Sequence, residues 1–565
     1  MNFSRYKKWI FGIGIWVIVL AVAGFFYWKS SAIKLPWQPT SQGIFFEELL
    51  PPDVSFAMSF NPTDDAQRQS FEKLWATILQ DKKDVILPFI ATNFAKSSQT
   101  PLPLADLLTL FGNNLQFTLA LGSGSSIKTP DAFFLFRTED PLKARAIFQR
   151  VKQADDQLLR DTPDAFAFSR GKAAKAHIGL IGDTGFFALT SKEKTQQLIA
   201  HFEKRNSFFR MASLANSKKF RSAAKFLEGA MSGYIFFFPG VTGKGIEASV
   251  VRYVAQENGF SFDGITLSGT GKDSDILRSK VFQPFVPSLS AKIPLSKALL
   301  FEEVGNAGSL LLSQLDALRT DFKKWTDFDF ATDILPFLDK DAVLAVEDTG
   351  RILPAVSVWL DASVPGASEK AKTAFEKLDA KVKSWVTLGN IALPANEAGQ
   401  NKPVFNMQPL AAPFTGSKVI LCLDCVSKKL INVPLLFELI RDPLEISYGM
   451  TSDNILFVST LPNFEKTFSD TAKAEDHPLF KRAQSLEPKP GNTVFIDGEV
   501  IGASIERIIN LARSNKKFSE SEEQSYALLK KHFSPIKSFI QTSQGDGKSM
   551  FGKAFLEIRG SSTQQ

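Results

Sequence analysis

The sequence predicts an α+β protein in which an N-terminal transmembrane helix precedes two tandem, duplicated domains, each with mainly antiparallel sheets covered by helices. Three observations predict it. The chain opens with an uncharged apolar run, the same strand, helix and hairpin signals recur in order in both halves, and the strands alternate large apolar residues with small or polar ones.

The run Trp9 to Trp28 (WIFGIGIWVIVLAVAGFFYW) lies between Lys8 and Lys29. A helix of that length spans about 30 Å, the thickness of a bilayer's hydrocarbon core, and satisfies its own backbone polar groups. Trp9, Tyr27 and Trp28 sit at its ends as interface anchors. Arg5, Lys7 and Lys8 precede the run and Lys29 follows it, a bias that favours the N-terminus inside and the body outside the cytoplasm. The rival reading is a signal peptide cleaved near Ala21-Val22-Ala23-Gly24, but the apolar run continues through Phe25 to Trp28 and exceeds the usual signal core. The expected order is therefore a cytoplasmic N-terminus (1–8), an anchor (9–28), a proline-containing linker (29–44), a first repeat domain (45–280), a Pro-rich linker (281–296), a second repeat domain (297–560) and a short tail (561–565).

The first copy starts with the strand VSFAMSFNP at Val54 and the second with ALLFEEVGN at Ala298, each followed by a helix-periodic stretch. LADLLTLFGNNLQFTLALG (104–122) then matches ATDILPFLDKDAVLAVEDTG (331–350) as short helix, turn and strand. DAFFLFRTEDPLKARAIFQRV (131–151) matches residues 354–378 as strand, proline turn and helix, with Asp140 as N-cap and Pro141 at the first helical position. Two hairpin-plus-helix segments (177–202 and 446–468) and two short strands (YIFFFPG at 234–240, NTVFIDGEV at 492–500) follow. Each copy closes on a hairpin, turning at Glu257-Asn258-Gly259 and at Gly545-Asp546-Gly547. Val54, Phe56, Met58 and Phe60 point one way and Ser55, Ala57 and Ser59 the other, which predicts one buried, helix-covered face.

The opening LLPPDVSFAMSFNP and the later GDTGFFALTSKEKTQQLI resemble the bacterial domain of unknown function 3352 family, over most of residues 45–560. The resemblance implies a membrane segment ahead of the first strand in a bacterial envelope protein. It implies no catalytic residues, since the family has no established activity. The second copy departs from the pattern: KALLFEEVGN lacks the Pro-Pro-Asp opening, and 383–415 reads as an insertion.

Charged residues make up 22% of the chain with both signs interspersed, and the net charge of +7 is spread over 565 residues, so no nucleic-acid partner is expected. There are 52 Phe against 6 Tyr, which predicts a Phe-rich core or an apolar ligand. The two cysteines, Cys422 and Cys425, form a C-x-x-C pair that reads as a small structural disulfide, inert thiols or a redox pair. His177, His201, His477 and His532 share no metal-ligand spacing, so no metal and no cofactor is expected. Ser70-x-x-Lys73, Ser191-x-x-Lys194 and Ser222-x-x-Lys225, with Ser452-Asp453-Asn454, echo the motifs of penicillin-recognising enzymes, but no Lys-Thr-Gly follows. Gly269-Thr270-Gly271-Lys272 lacks the remaining P-loop residues.

The sequence thus points to a non-enzymatic binding or scaffold protein with no catalytic residues, attached to the bacterial cytoplasmic membrane through its own N-terminal helix and lying largely in the periplasm. The alternatives are a carrier of a lipid or other apolar ligand, with YIFFFPG and DAFFLF as the strands of interest, and an enzyme with a dispersed site.

Overall fold

In the computed structural model, the described residues are 46–79, 116–122, 131–170, 176–203, 213–225, 229–237, 246–269, 283–306, 340–363, 367–392, 404–422, 444–515 and 535–559, apart from Thr63 and Ile352, with isolated positions elsewhere. They form twenty strands in antiparallel pairing, ten in each of two units, with nine α-helices among the described residues. The chain divides into two compact units, the first running to Ser274 and the second from Asp275, apart from a few residues near the C-terminus.

The first unit contains β1 (Val54–Phe60), β2 (Phe117–Gly122), β3 (Ala132–Arg137), β4 (Gln157–Thr162), β5 (Ala165–Ser169), β6 (Ala176–Ile181), β7 (Thr184–Leu189), β8 (Gly233–Phe237), β9 (Ile246–Gln256) and β10 (Gly259–Ser268). Its helices are α1 (Phe46–Leu49), α2 (Asp65–Leu79), α3 (Pro141–Val151), α4 (Lys192–Glu203) and α5 (Lys218–Ala224). Antiparallel pairing gives the order β10-β9-β8-β1-β2-β3-β7-β6-β5-β4. Short turns enforce it: Gly182 takes positive φ between β6 and β7, and only Glu257 and Asn258 separate β9 from β10.

The second unit contains β11 (Ala298–Val304), β12 (Ala342–Glu347), β13 (Ala355–Asp361), β14 (Phe405–Pro409), β15 (Thr415–Leu421), β16 (Leu444–Met450), β17 (Ile455–Ser459), β18 (Asn492–Asp497), β19 (Ile536–Gly545) and β20 (Ser549–Ile558), with α6 (Ala367–Ala392), α7 (Phe464–Asp470), α8 (Pro478–Leu486) and α9 (Gly498–Asn515). Its strand order is β20-β19-β18-β11-β12-β13-β17-β16-β15-β14. This is the order of the first unit with every strand number raised by ten.

The expected fold class is corrected in two respects. Among the described residues no helix is long and apolar enough to cross a membrane. Trp9–Trp28 and its flanks Arg5, Lys7, Lys8 and Lys29 lie outside the described residues. The transmembrane, single-pass and signal-anchor reading, and attachment to a membrane through the chain's own N-terminal helix, therefore find no support in the structure. The second correction concerns the sheet, which dominates the architecture and is not simply covered by helices. In the first unit the fully closed face carries small side chains: Ser55, Ala57, Ser59, Thr118 and Ala120 are buried, whereas Phe56, Met58 and Leu121 are only half-buried. Small residues let helices approach closely, and α1, α4 and α5 bring Phe46, Leu49, Leu198, Phe202 and Phe220 onto that face. Among the described residues the bulky face is covered near its ends, by α3 over Phe136, Phe168 and Ile178 and by α2 through Phe71 against Phe60 and Phe260.

α3 forms where the sequence requires it. Asp140 Oδ1 accepts from the Lys143 N–H at 3.0 Å, Pro141 opens the helix, and Ala144, Ile147, Phe148 and Val151 make its buried stripe. Gly185 makes room beneath it, since a Cβ there would lie 2.3 Å from the Phe136 ring. In the second unit α7 and α8 close the equivalent core, with Phe464 and Phe480 packed on Trp359, Phe301 and Phe495.

Candidate functional site

Cross-strand register sets the open face in both units. In the first, Ile235, Met58, Leu119, Phe134 and Phe187 form one row across β8, β1, β2, β3 and β7. Phe237, Phe56, Leu121, Ala132 and Leu189 form the next. In the second unit the corresponding strands give Val494, Glu302, Leu344, Val358 and Val458, of which Val494 is fully buried, then Ile496, Leu300, Val346 and Val356. Leu119 is 37% exposed, Val358 39% and Val458 45%, so these central-strand side chains are open to water. α6 covers only one end of the second face, where Ala371 and Ala374 meet Met450 and Leu456. Part of this surface is thus left apolar and open in each unit, at Leu119 and Leu189 in the first and at Val356, Val358 and Val458 in the second.

The Phe-rich strands divide between the faces. In DAFFLF, Phe133 and Leu135 fill the closed core, Phe134 stands on the open face, and Phe136 lies 5.5 Å from Phe187 under α3. In YIFFFPG, Tyr234 and Phe236 are in the closed core, and Phe237 meets Phe56 edge-on at 5.3 Å. These rings are packed against one another.

Three polar clusters, two buried and one partly exposed, bear on the candidate chemistry. Cross-strand pairing of β5 with β6 puts Ser169 opposite His177, and Ser169 Oγ lies 2.9 Å from His177 Nδ1. His177 Nε2 is 3.0 Å from the Thr190 carbonyl, which can only accept, so Nε2 carries the proton and Nδ1 accepts from Ser169. Burial holds the His177 pKa below the usual imidazole value, favouring the neutral ring. A serine on a histidine is half of a nucleophilic dyad, but these residues are 2% and 1% exposed, so the contact welds two strands and meets no substrate.

The second cluster answers the S-x-x-K motif. Ser191 Oγ accepts from the Lys194 N–H at 3.4 Å, and Lys194 Nζ bridges Asp131 and Asp53, 2.7 Å from each. Thr190 Oγ1 donates to Asp131 at 2.7 Å. Burial opposes ionisation of Asp131, but the bonds from Lys194 and Thr190 outweigh it and keep its pKa below the usual carboxylate value. Lys194 stays fully charged, its pKa raised by both acids against the opposing effect of burial. It is an ion bridge between α4 and two loops, not a base beside a nucleophile. Ser452-Asp453-Asn454 is the β16–β17 turn, with Asn454 at positive φ.

The third lies in the second unit. Glu303, Thr493 and Thr542 form a buried row across β11, β18 and β19. Glu303 Oε1 accepts from the Leu289 and Ser290 N–H groups, while Glu303 Oε2, Thr493 Oγ1 and Thr542 Oγ1 make no hydrogen bond. Burial, with Asp341 adding like charge, pushes the Glu303 pKa up to about 8, so it is largely neutral at pH 7.

Cys422 follows β15, its N–H bonded to Val404 O at 2.8 Å, and is disulfide-bonded; Cys425 lies outside the described residues. His201 Nδ1 lies 3.2 Å from Leu49 O, and His477 caps α8 while its ring stacks on Phe495 at 4.8 Å. His532 and Gly271-Lys272 lie outside the described residues, and among the described residues no group of three His, Cys, Asp or Glu could hold a metal.

No protein-family model matches the chain, and no curated protein matches it. Among solved structures, crystal forms I and III of TP0453 align at 9% identity over 41% and 42% of this chain and 82% and 83% of that chain. Their TM-scores are 0.24 and 0.25, a likeness too low to carry an argument.

Proposed function

We propose that this chain is a non-enzymatic binding or scaffold protein of an extracytoplasmic compartment, and that each unit presents its open apolar sheet face to a partner. The observation that carries this reading is the repetition of that face. Large apolar side chains stand half-exposed or exposed on matching strands of both units, although each unit has helices enough to close its opposite face. Apolar surface left open on a central strand costs stability unless something covers it, and a repeated opening fits a repeated binding surface. The Cys422 disulfide supports an oxidising compartment.

The test places a photo-crosslinking residue at Leu119 and, separately, at Val358 in the full chain in living cells. Discrete adducts from both positions, lost when a neighbouring face residue is made charged (Met58→Glu, Val458→Glu), are the expected result. A chain that stays folded and crosslinks from neither face overturns the reading.

A further inference from the structure

α6 is 26 residues long, and its two halves are used differently. The N-terminal half is packed: Ala371 and Ala374 are buried, and Phe375 lies 6.0 Å from the Tyr448 ring. Asp379 accepts from Ser417 at 2.8 Å and Tyr448 at 3.0 Å, tying the helix to the sheet. The C-terminal half is held as firmly along one edge. The Asn390 side chain donates to Phe405 O at 2.9 Å and accepts from Phe405 N at 2.8 Å. Gly389 lets the Phe405 ring approach to where a Cβ would be 2.7 Å away.

On its other side this pinned end shows water Trp385 (42% exposed), Leu388 (58%) and Ile391 (75%). At about 100° per residue these three share an arc of about 120° with Lys370, Lys377 and Lys381, which lie toward the N-terminal end of the helix; Ala374, near one edge of the arc, packs on the sheet. The acids Glu369, Glu376 and Asp379 fall outside that arc. The stripe is therefore basic along its first part and apolar, with a tryptophan at the junction, along its last.

We propose that this stripe of α6 seats on an anionic lipid surface, with Trp385, Leu388 and Ile391 entering the headgroup boundary and the three lysines lying over the phosphates. This is a contact separate from the open sheet faces. The charge pattern selects the occupant: lysines complement anionic headgroups, and a tryptophan between charge and aliphatic residues matches the polarity gradient of an interface. Being fixed to β14, the apolar tip is already arranged for insertion and orders no new backbone on docking.

The experiment attaches an environment-sensitive NBD fluorophore to Leu388→Cys in the full chain and reads it against vesicles of phosphatidylglycerol or phosphatidylcholine. Phosphatidylglycerol should shift the emission to the blue and raise it, and phosphatidylcholine should leave it unchanged. Reversing the three lysines (Lys370→Glu, Lys377→Glu, Lys381→Glu) should weaken the vesicle affinity by at least about a hundredfold. A probe that stays aqueous with phosphatidylglycerol overturns the proposal. So does an equal response to both lipids. A shift that follows protein concentration without vesicles also overturns it, since it would make a second copy the occupant. Each of these is read at residue 388 alone, so the sheet-face reading stands or falls separately.

Discussion

Tyr234 Oη donates a hydrogen bond to the Glu47 carboxyl, joining the strand β8 to the one-turn helix α1 inside the closed core of the first unit. Both side chains are buried, and burial raises the pKa of each above its ordinary value. Removing the phenol strands an acid in an apolar setting. Tyr234→Phe should destabilise the first unit by about 1–3 kcal/mol in urea unfolding. Adding Glu47→Leu to it should recover part of that loss, because the stranded acid is then gone. A Tyr234→Phe transition that coincides with wild type would show that the pair contributes nothing.

Glu303 predicts a pH dependence of the opposite sign to that of a surface acid. Its folded pKa of about 8 lies above the ordinary 4.5, so in that window the folded state keeps a proton the unfolded chain has lost. Stability of the second unit should therefore be complete below about pH 4.5 as far as this group is concerned, and should fall as pH rises toward 8. Glu303→Gln should flatten that slope, giving a gain on the order of 2–4 kcal/mol at pH 8.5 and little at pH 4.5. Urea midpoints of both proteins at the two pH values decide it, and parallel slopes would refute it.

His177 works in the other direction. Burial lowers its pKa from 6.5, so below that pH the unfolded chain takes up a proton that the folded ring resists. Its contribution is present above pH 6.5 and is lost as pH falls through the lowered value. An NMR titration of its ring protons should show the imidazole titrating below 6.5, with Nε2 carrying the proton of the neutral form. Ser169→Ala should cost about 1 kcal/mol by removing the donor to Nδ1. A ring that titrates near 6.5 in the folded protein would contradict the burial.

Local signals in the sequence match the fold where one residue type has one physical use. Asp140 and Pro141 mark the start of α3, and the Glu257-Asn258-Gly259 segment marks a hairpin. Alternation in VSFAMSF separates two faces, but it does not say which face the helices take. The large residues suggested the buried side, whereas Ser55, Ala57 and Ser59 are the closed ones because helices pack closer over small side chains. The Ser169–His177 contact depends on the register of β5 against β6, and the open rows depend on strands far apart in the chain. A one-dimensional reading ranks neither. The apolar run near the N-terminus read as a membrane helix, and no described helix can serve as one.

Arg507 on α9 grips Asp348, which follows β12, with two bonds: Nη1 to Oδ2 at 2.9 Å and Nη2 to Oδ1 at 2.5 Å. The same guanidinium donates to Arg351 O at 3.0 Å, so one side chain fixes both the acid and the turn after it. The Arg507 hydrogen bonds lead the causes that bring the Asp348 pKa down to about 2, from 3.8. The pair's contribution is present above pH 3.8 and is lost as pH falls through that value toward 2. Arg507 is partly open to water, which keeps the gain modest; Arg507→Ala should cost about 1–2 kcal/mol at pH 7 and much less near pH 2. Arg507→Lys should recover only part of it, since an ammonium cannot span both carboxylate oxygens in the plane. Unfolding of the three proteins at pH 7 and pH 2.5 tests this. Equal losses at the two pH values would assign the role of Arg507 to packing of α9 on β11 and β19 instead of to the ion pair.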